Sequence, residues 1–292
     1  MIVPHRLLPL LKEAEDAAAT GGIVAALPVL RQMTKDEFAT VLGGVSAEFA
    51  ALRATLPIYP SPEIQRAWTG NTDTLLLQKT ALFSHVCERF SARLRGRPLA
   101  DARILDYGCG WGRLTRQMLY FSDPASLFGV DPWHKSLEQC ETLRVPGTIL
   151  QIDYRPQSLP EDVRDIHLSF AFSVMTHIGE SNTEEILRAV RQSTAPNGLF
   201  VFTIRPREYW ALRTSVLGEA VVAEMLHDHD EKGVAFLPSG ETRNAGSADY
   251  GESSFTVEAI AALAAETGWR FAGTEWLLID PYQLIVCLQR AS

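Results

Sequence analysis

The spacing of apolar residues changes near residue 100. Before that point it is helical. Ala14–Ala19 and Phe38–Leu56 are rich in Ala, Leu and Glu, which favour helix. Thr34 with Glu37 three positions on has the pattern of a capping box. Leu56-Pro57-Ile58-Tyr59-Pro60-Ser61-Pro62 must interrupt any helix. Leu75–Leu94 then carries Leu76, Ala81, Phe83, Val86 and Phe90 at helical spacing, and Arg95-Gly96-Arg97-Pro98 ends it.

After residue 100, short apolar runs alternate with helical stretches. The runs are Ala102–Leu105, Leu127–Val130, Thr148–Ile152, Ile166–Phe172 and Leu199–Ile204; the stretches include Arg113–Tyr120, His134–Leu143 and Thr183–Ser193. This alternation predicts βαβ units and a mainly parallel sheet. Pro196-Asn197-Gly198 is a turn signal before the fifth strand. Thr256–Thr267 reads as a helix capped by Thr256 and stopped at Gly268. Arg270–Ile279 and Gln283–Gln289 read as two strands turning at Asp280-Pro281, hence antiparallel. The expected fold is a Rossmann-like α/β domain over 101–292, with a seven-stranded sheet ending in an antiparallel hairpin. A helical N-terminal extension or cap occupies 1–100. Residues 206–254, containing Gly218, Gly233, Pro238, Gly240 and Gly246, are too long for a routine connection and are expected to be a functional insertion or lid.

Composition narrows the function. The net charge of -8 opposes a polyanion, so a nucleic-acid partner is not expected. No apolar run approaches the ~20 residues that span a bilayer, and the N-terminus does not read as a signal peptide. The expected location is cytoplasmic. Cys87, Cys109, Cys140 and Cys287 match no zinc pattern and read as buried or loop thiols. His227-Asp228-His229-Asp230 has poor geometry for a metal and reads as a solvated helix end, so no metal is expected.

The chemistry concentrates at Asp106-Tyr107-Gly108-Cys109-Gly110-Trp111-Gly112, a buried strand entering a glycine turn with a helix directly after it. Open α/β sheets bind ligands at that edge. A dinucleotide fingerprint would need glycine at 113, where Arg113 stands, and no Gly-Lys-Ser/Thr follows for a phosphate loop. What stands is D-x-G-x-G-x-G.

This resembles motif I of the class I S-adenosylmethionine-dependent methyltransferases, through Asp106, Tyr107, Gly108, Gly110 and Gly112. The resemblance implies S-adenosylmethionine as cofactor. It extends to Asp131, 25 positions after Asp106, as the acid that holds the ribose hydroxyls; capping a helix is its plainer reading. Ile152 or Tyr154 is implied at one adenine face, Pro132 and Trp133 at the other, and Asp153 at its amino group. Ser173-Val174-Met175-Thr176-His177-Ile178 is similar to a segment of bacterial methyltransferases acting on sugars, glycans and natural products. Ser173 is thereby expected at the cofactor edge. His177 has two readings, general base or a structural histidine bonded to backbone. Trp68-Thr69-Gly70 is expected to shield the methionine end.

No [D/N]-P-P-[Y/F] and no acid cluster stands at 173–176. The expectation is metal-independent O-methylation of a small-molecule or glycan acceptor. N- or carboxyl-methylation, and a non-catalytic cofactor-binding protein, are the alternatives. Arg205, Tyr209, Trp210, Asp249 and Tyr250 are expected on the acceptor side, with Arg207 beside them. Residues 1–60 resemble nothing specific; a cap, a substrate module and a homodimer arm are the readings.

Overall fold

The structure is a computed structural model, and it describes residues 4–239 and 249–291. The chain forms two compact units, Met1–Gln151 and Ile152–Ser292. The expected boundary near residue 100 therefore falls inside the first unit.

In the first unit, α1 (Leu8–Leu30) is kinked where Gly22 takes φ 64°. Thr34 starts α2 (Lys35–Leu42) with the full capping box: its hydroxyl accepts the Glu37 N–H, and the Glu37 carboxylate accepts the Thr34 N–H. The continuous helix expected over 38–56 is a correction. α2 stops at Leu42, Gly43-Gly44 follow, and α3 (Ala50–Thr55) starts anew where the Glu15 carboxylate accepts the N–H groups of Ala51 and Leu52 at 2.8 and 2.9 Å. Gly44 takes φ 134° and leaves the helical path, and the contact that restarts the helix comes from α1, 36 residues away. α4 (Pro62–Thr69) begins on a Ser61 cap and ends at Gly70, and α5 (Asp73–Arg95) ends at Gly96. Then come β1 (Ile104–Tyr107), α6 (Arg113–Gln117), β2 (Leu127–Asp131), α7 (His134–Thr142) and β3 (Thr148–Gln151). β1 pairs with β2 and β2 with β3, both parallel.

In the second unit, β4 (Ile166–Ala171) leads through α8 (Glu180–Ser193) to β5 (Thr194–Ile204), its parallel partner. The turn expected at Pro196-Asn197-Gly198 lies within β5. The register jumps there, from Ile166 opposite Thr194 to Leu168 opposite Leu199, so the turn residues bulge out of a longer strand. The insertion has structure of its own: α9 (Thr214–Leu217), α10 (Glu219–Lys232), and β6 (Val234–Pro238) antiparallel to β7 (Gly251–Phe255). The expected site call at Trp210 needs correcting. Its side chain is fully buried against Val222, Met225 and Ala235, and its indole N–H donates to the Ser254 hydroxyl. It is a core residue of the insertion. Thr256 caps α11 (Val257–Glu266) as expected. β8 (Trp269–Glu275) and β9 (Leu284–Arg290) pair antiparallel, and β9 pairs antiparallel with β5.

The seven strands β1–β5, β8 and β9 are those of a Rossmann-like sheet, mainly parallel with an antiparallel C-terminal pair. Among the described residues, no helix is long and apolar enough to cross a membrane.

Candidate cofactor and acceptor sites

The glycine loop is fixed by bonds that its sequence makes necessary. The backbone N–H groups of Gly108 and Cys109 both donate to the Val130 carbonyl, at 2.8 and 3.1 Å, which joins the loop to the end of β2. Gly112 has φ 75°, and a Cβ there would lie 2.5 Å from Val145 Cγ1, so only glycine fits. Asp106, buried at the end of β1, accepts the Thr115 hydroxyl at 2.6 Å, pinning the first turn of α6. Burial pushes the Asp106 carboxyl up to about 7, against the opposing pull of the Thr115 bond and Arg113. Burial likewise raises the Tyr107 phenol.

Asp131, 7% exposed at the end of β2, organises the neighbouring turn. One oxygen accepts the Gly110 N–H and the other the Trp133 N–H, both at 2.9 Å. Burial raises its pKa; the bonds from Trp133, Gly110 and Ser136 pull the other way. Pro132 accepts a bond from the Gln151 amide through its carbonyl. Trp133 stacks on Trp68 with ring centroids 4.8 Å apart, and Trp68 carbons stand 3.7–3.8 Å from where a Cβ on Gly110 would be. The structure thus brings Trp68 to the glycine loop. Thr69 and Gly70 form the C-terminal end of α4: the Thr69 hydroxyl donates toward the Gln65 and Asn71 carbonyls, and Gly70 takes φ 72°.

Two contributors here escape sequence reasoning. Arg116, fully buried, donates to the carbonyls of Gly112, Trp111 and Ile58, holding the loop's exit against the segment before α4. Burial brings its pKa down to about 10. The Cys140 thiol donates to the Gly110 carbonyl at 3.2 Å. A basic residue in a helix and a lone cysteine carry no local signal of either job. All four cysteines are buried, and none is in a disulfide.

In the second unit, Ser173 follows β4 with φ 62°, a left-handed conformation unusual outside glycine. Its N–H donates to the Thr203 hydroxyl at 2.7 Å and its own hydroxyl accepts from the Gln283 amide. Backbone strain of this kind concentrates at functional edges. Asp153 is exposed and Tyr154 half-buried, just past the end of β3.

His177 is held on both ring nitrogens. Nδ1 lies 2.8 Å from the Gly251 carbonyl, which only accepts, so Nδ1 carries the proton. Nε2 is then the acceptor and faces Arg205 Nη2 at 3.3 Å. The Tyr250 ring stacks on the imidazole at 5.1 Å. Arg205 donates to the Thr176 carbonyl, and its guanidinium lies 4.0 Å from the centroid of the Tyr209 ring. Burial, with Glu252 nearby, pushes the Tyr209 phenol up to about 12 despite Arg205. Asp249 stands 3.8 Å from Arg155, and Arg207 forks onto Asp230. Of the expected acceptor-side residues, Arg205, Tyr209 and Tyr250 gather around His177, whereas Trp210 does not. Within the His227–Asp230 run, His229 bonds the Ser254 hydroxyl, Asp228 pairs with Lys232 and Asp230 with Arg207.

Residues 104–198, from the first residue of β1 into β5, match the family model described as a methyltransferase domain. The mitochondrial ubiquinone biosynthesis O-methyltransferase of Homo sapiens is 34% identical over 114 residues, covering 37% of this chain and 30% of that enzyme. The ubiquinone biosynthesis O-methyltransferase of Rhizobium johnstonii is 29% identical over 181 residues, covering 52% of this chain and 71% of that one. The first curated relatives that the chain matches are covered over only 30–35% of their length. An S-adenosylmethionine-dependent methyltransferase from Clostridium acetobutylicum has the same fold, with a TM-score of 0.50 at 13% identity, covering 79% of this chain and 97% of that one.

The match over residues 104–198 and the shared fold make this chain similar to methyltransferase domains, with the glycine loop at the start of the matched region.

Proposed function

We propose that this chain transfers the methyl group of S-adenosylmethionine to a hydroxyl of a small-molecule or glycan acceptor, without a metal. The observation that carries the reading is the fixed tautomer of His177, with Nδ1–H anchored on Gly251 and Nε2 left as acceptor. A hydroxyl nucleophile needs a base that accepts its proton. The 3.3 Å separation from Arg205 Nη2 is at the long end for a hydrogen bond, so an acceptor hydroxyl competes for Nε2 on good terms. The chain's similarity to ubiquinone biosynthesis O-methyltransferases supports O-transfer.

The first unit has groups suited to the cofactor. Asp131 is a buried carboxylate with acceptor capacity beyond its two backbone bonds, and would hold the ribose hydroxyls. Gly108 and Gly110 admit close approach of a ligand to the backbone. Trp133, with Pro132, would cover the adenine, and Trp68 would close over the loop. Bound there, S-adenosylmethionine supplies an electrophilic methyl group on a sulfonium. His177 would accept the proton of the acceptor hydroxyl at Nε2.

The experiment is a transfer assay with S-adenosylmethionine against phenols, sugars and nucleotide sugars, reading S-adenosylhomocysteine and methyl ether. Methyl ether from at least one hydroxyl class is expected. Transfer to amines alone, or none above the rate without enzyme, contradicts the reading.

A further inference from the structure

We infer that the acceptor carries a carboxylate, and that Arg205 is its anchor. The inference rests on the methyltransferase reading above and names the substrate class for the same site.

Arg205 is 7% exposed. A cation so withdrawn from water is costly unless an opposite charge compensates it. Among the described residues, no carboxylate pairs with it. Glu252 is the acid whose charge reaches it, and that carboxylate is bonded to Arg213 at 2.9 Å. Arg205's own contacts are neutral: the Thr176 carbonyl, the His177 imidazole and the Tyr209 ring. Among the described residues, the charges of Arg205, Arg213 and Glu252 leave one positive charge uncompensated. Burial accordingly lowers the Arg205 pKa below the usual guanidinium range.

The same contacts fix where the plane of the guanidinium lies. One terminal nitrogen is held by the Thr176 carbonyl at 2.8 Å, the other faces His177 at 3.3 Å, and the Tyr209 ring lies close by. These account for two of five N–H groups. A planar donor fork held in place matches a carboxylate, which accepts two parallel bonds. The aromatic rings of Tyr209 and Tyr250 beside Arg205 and His177 favour an acceptor whose carboxylate is borne on an aromatic or otherwise flat body. Binding would bring the missing negative charge next to His177, so that one group orients the acceptor and the neighbouring one takes its proton.

The test is calorimetric titration of benzoate and of its neutral isostere benzamide into the full chain, with S-adenosylhomocysteine titrated separately. Wild type is expected to bind benzoate at least about tenfold more tightly than benzamide. Arg205→Gln is expected to abolish that preference, and Arg205→Lys to keep part of it, since it keeps the charge but loses the fork. Equal affinity for the two ligands in wild type, no measurable benzoate binding in wild type, or an undiminished preference in Arg205→Gln overturns the inference. If Arg205→Gln does not fold by circular dichroism, the wild-type comparison and Arg205→Lys still decide. Failure to bind S-adenosylhomocysteine strikes the methyltransferase reading instead, and is read independently of benzoate.

Discussion

The Asp131 carboxylate accepts the Gly110 backbone N–H at 2.9 Å, tying the middle of the glycine loop to the end of β2. Its other oxygen takes the Trp133 N–H. One side chain therefore sets the loop and the turn that carries Trp133, while keeping lone-pair capacity for a ligand hydroxyl. Desolvation makes such a carboxylate expensive and raises its pKa, and the backbone bonds offset part of that cost. A residue needed only to cap α7 would not have to be buried beside Gly110.

The loop tolerates no side chain at Gly112. Gly112→Ala incurs about 1–2 kcal/mol for the left-handed conformation and about 1–3 kcal/mol for the clash with Val145. Urea unfolding should show a loss of about 2–5 kcal/mol. Adding Val145→Ala should return only the clash component relative to Val145→Ala alone. A loss below about 0.5 kcal/mol would mean the loop rearranges freely.

Asp106 predicts a particular pH dependence. Its carboxyl is raised from 3.8 to about 7 by burial, so between those values the folded chain holds a proton that the unfolded chain has lost. Stability should therefore fall as pH rises from about 4 to about 7, and the full penalty applies above about 7. Asp106→Asn removes the titration and can still accept the Thr115 hydroxyl. The stability of Asp106→Asn relative to wild type should grow across that window in denaturation measured at several pH values. A constant difference would contradict the buried, raised carboxyl.

His177 separates its two readings by rescue. As a base, His177→Ala should lower kcat by about 10²–10⁴ with cofactor affinity unchanged, and added imidazole should restore part of the rate. As a strut for Gly251 it should lower thermal stability, with less than a tenfold effect on kcat and no response to imidazole.

Trp68 reports on the shielding of the loop. The Trp68–Trp133 stack is worth about 0.5–1.5 kcal/mol. If Trp68 closes over bound cofactor, Trp68→Ala should weaken S-adenosylmethionine binding by roughly two- to twelvefold, and in wild type the tryptophan fluorescence should change on binding. Unchanged affinity and fluorescence would make the stack a packing feature only.

Much of this is legible in sequence because it depends on local period or on obligatory residues. The strand–helix alternation, the Thr34 and Thr256 caps and the D-x-G-x-G-x-G loop each follow from neighbours a few positions apart. The misses are non-local. The start of α3 depends on Glu15, the burial of Trp210 on Ser254, and the loop bonds of Arg116 and Cys140 on carbonyls brought near by folding. His177 could be singled out, but its tautomer depends on Gly251, 74 residues away. The cluster of Arg205, Tyr209 and Tyr250 around His177 is legible as a set of residue types, and only the structure shows which of them meet.

The first unit is expected to bind S-adenosylmethionine through Asp131. Calorimetric titration of the full chain should show binding to wild type. Asp131→Ala should weaken it by at least about a hundredfold, because two hydroxyl bonds to a charged acceptor contribute about 1.5–3 kcal/mol each. Asp131→Asn, which keeps the volume, should fall between them. No binding by wild type, or equal affinity in all three proteins, would contradict the account.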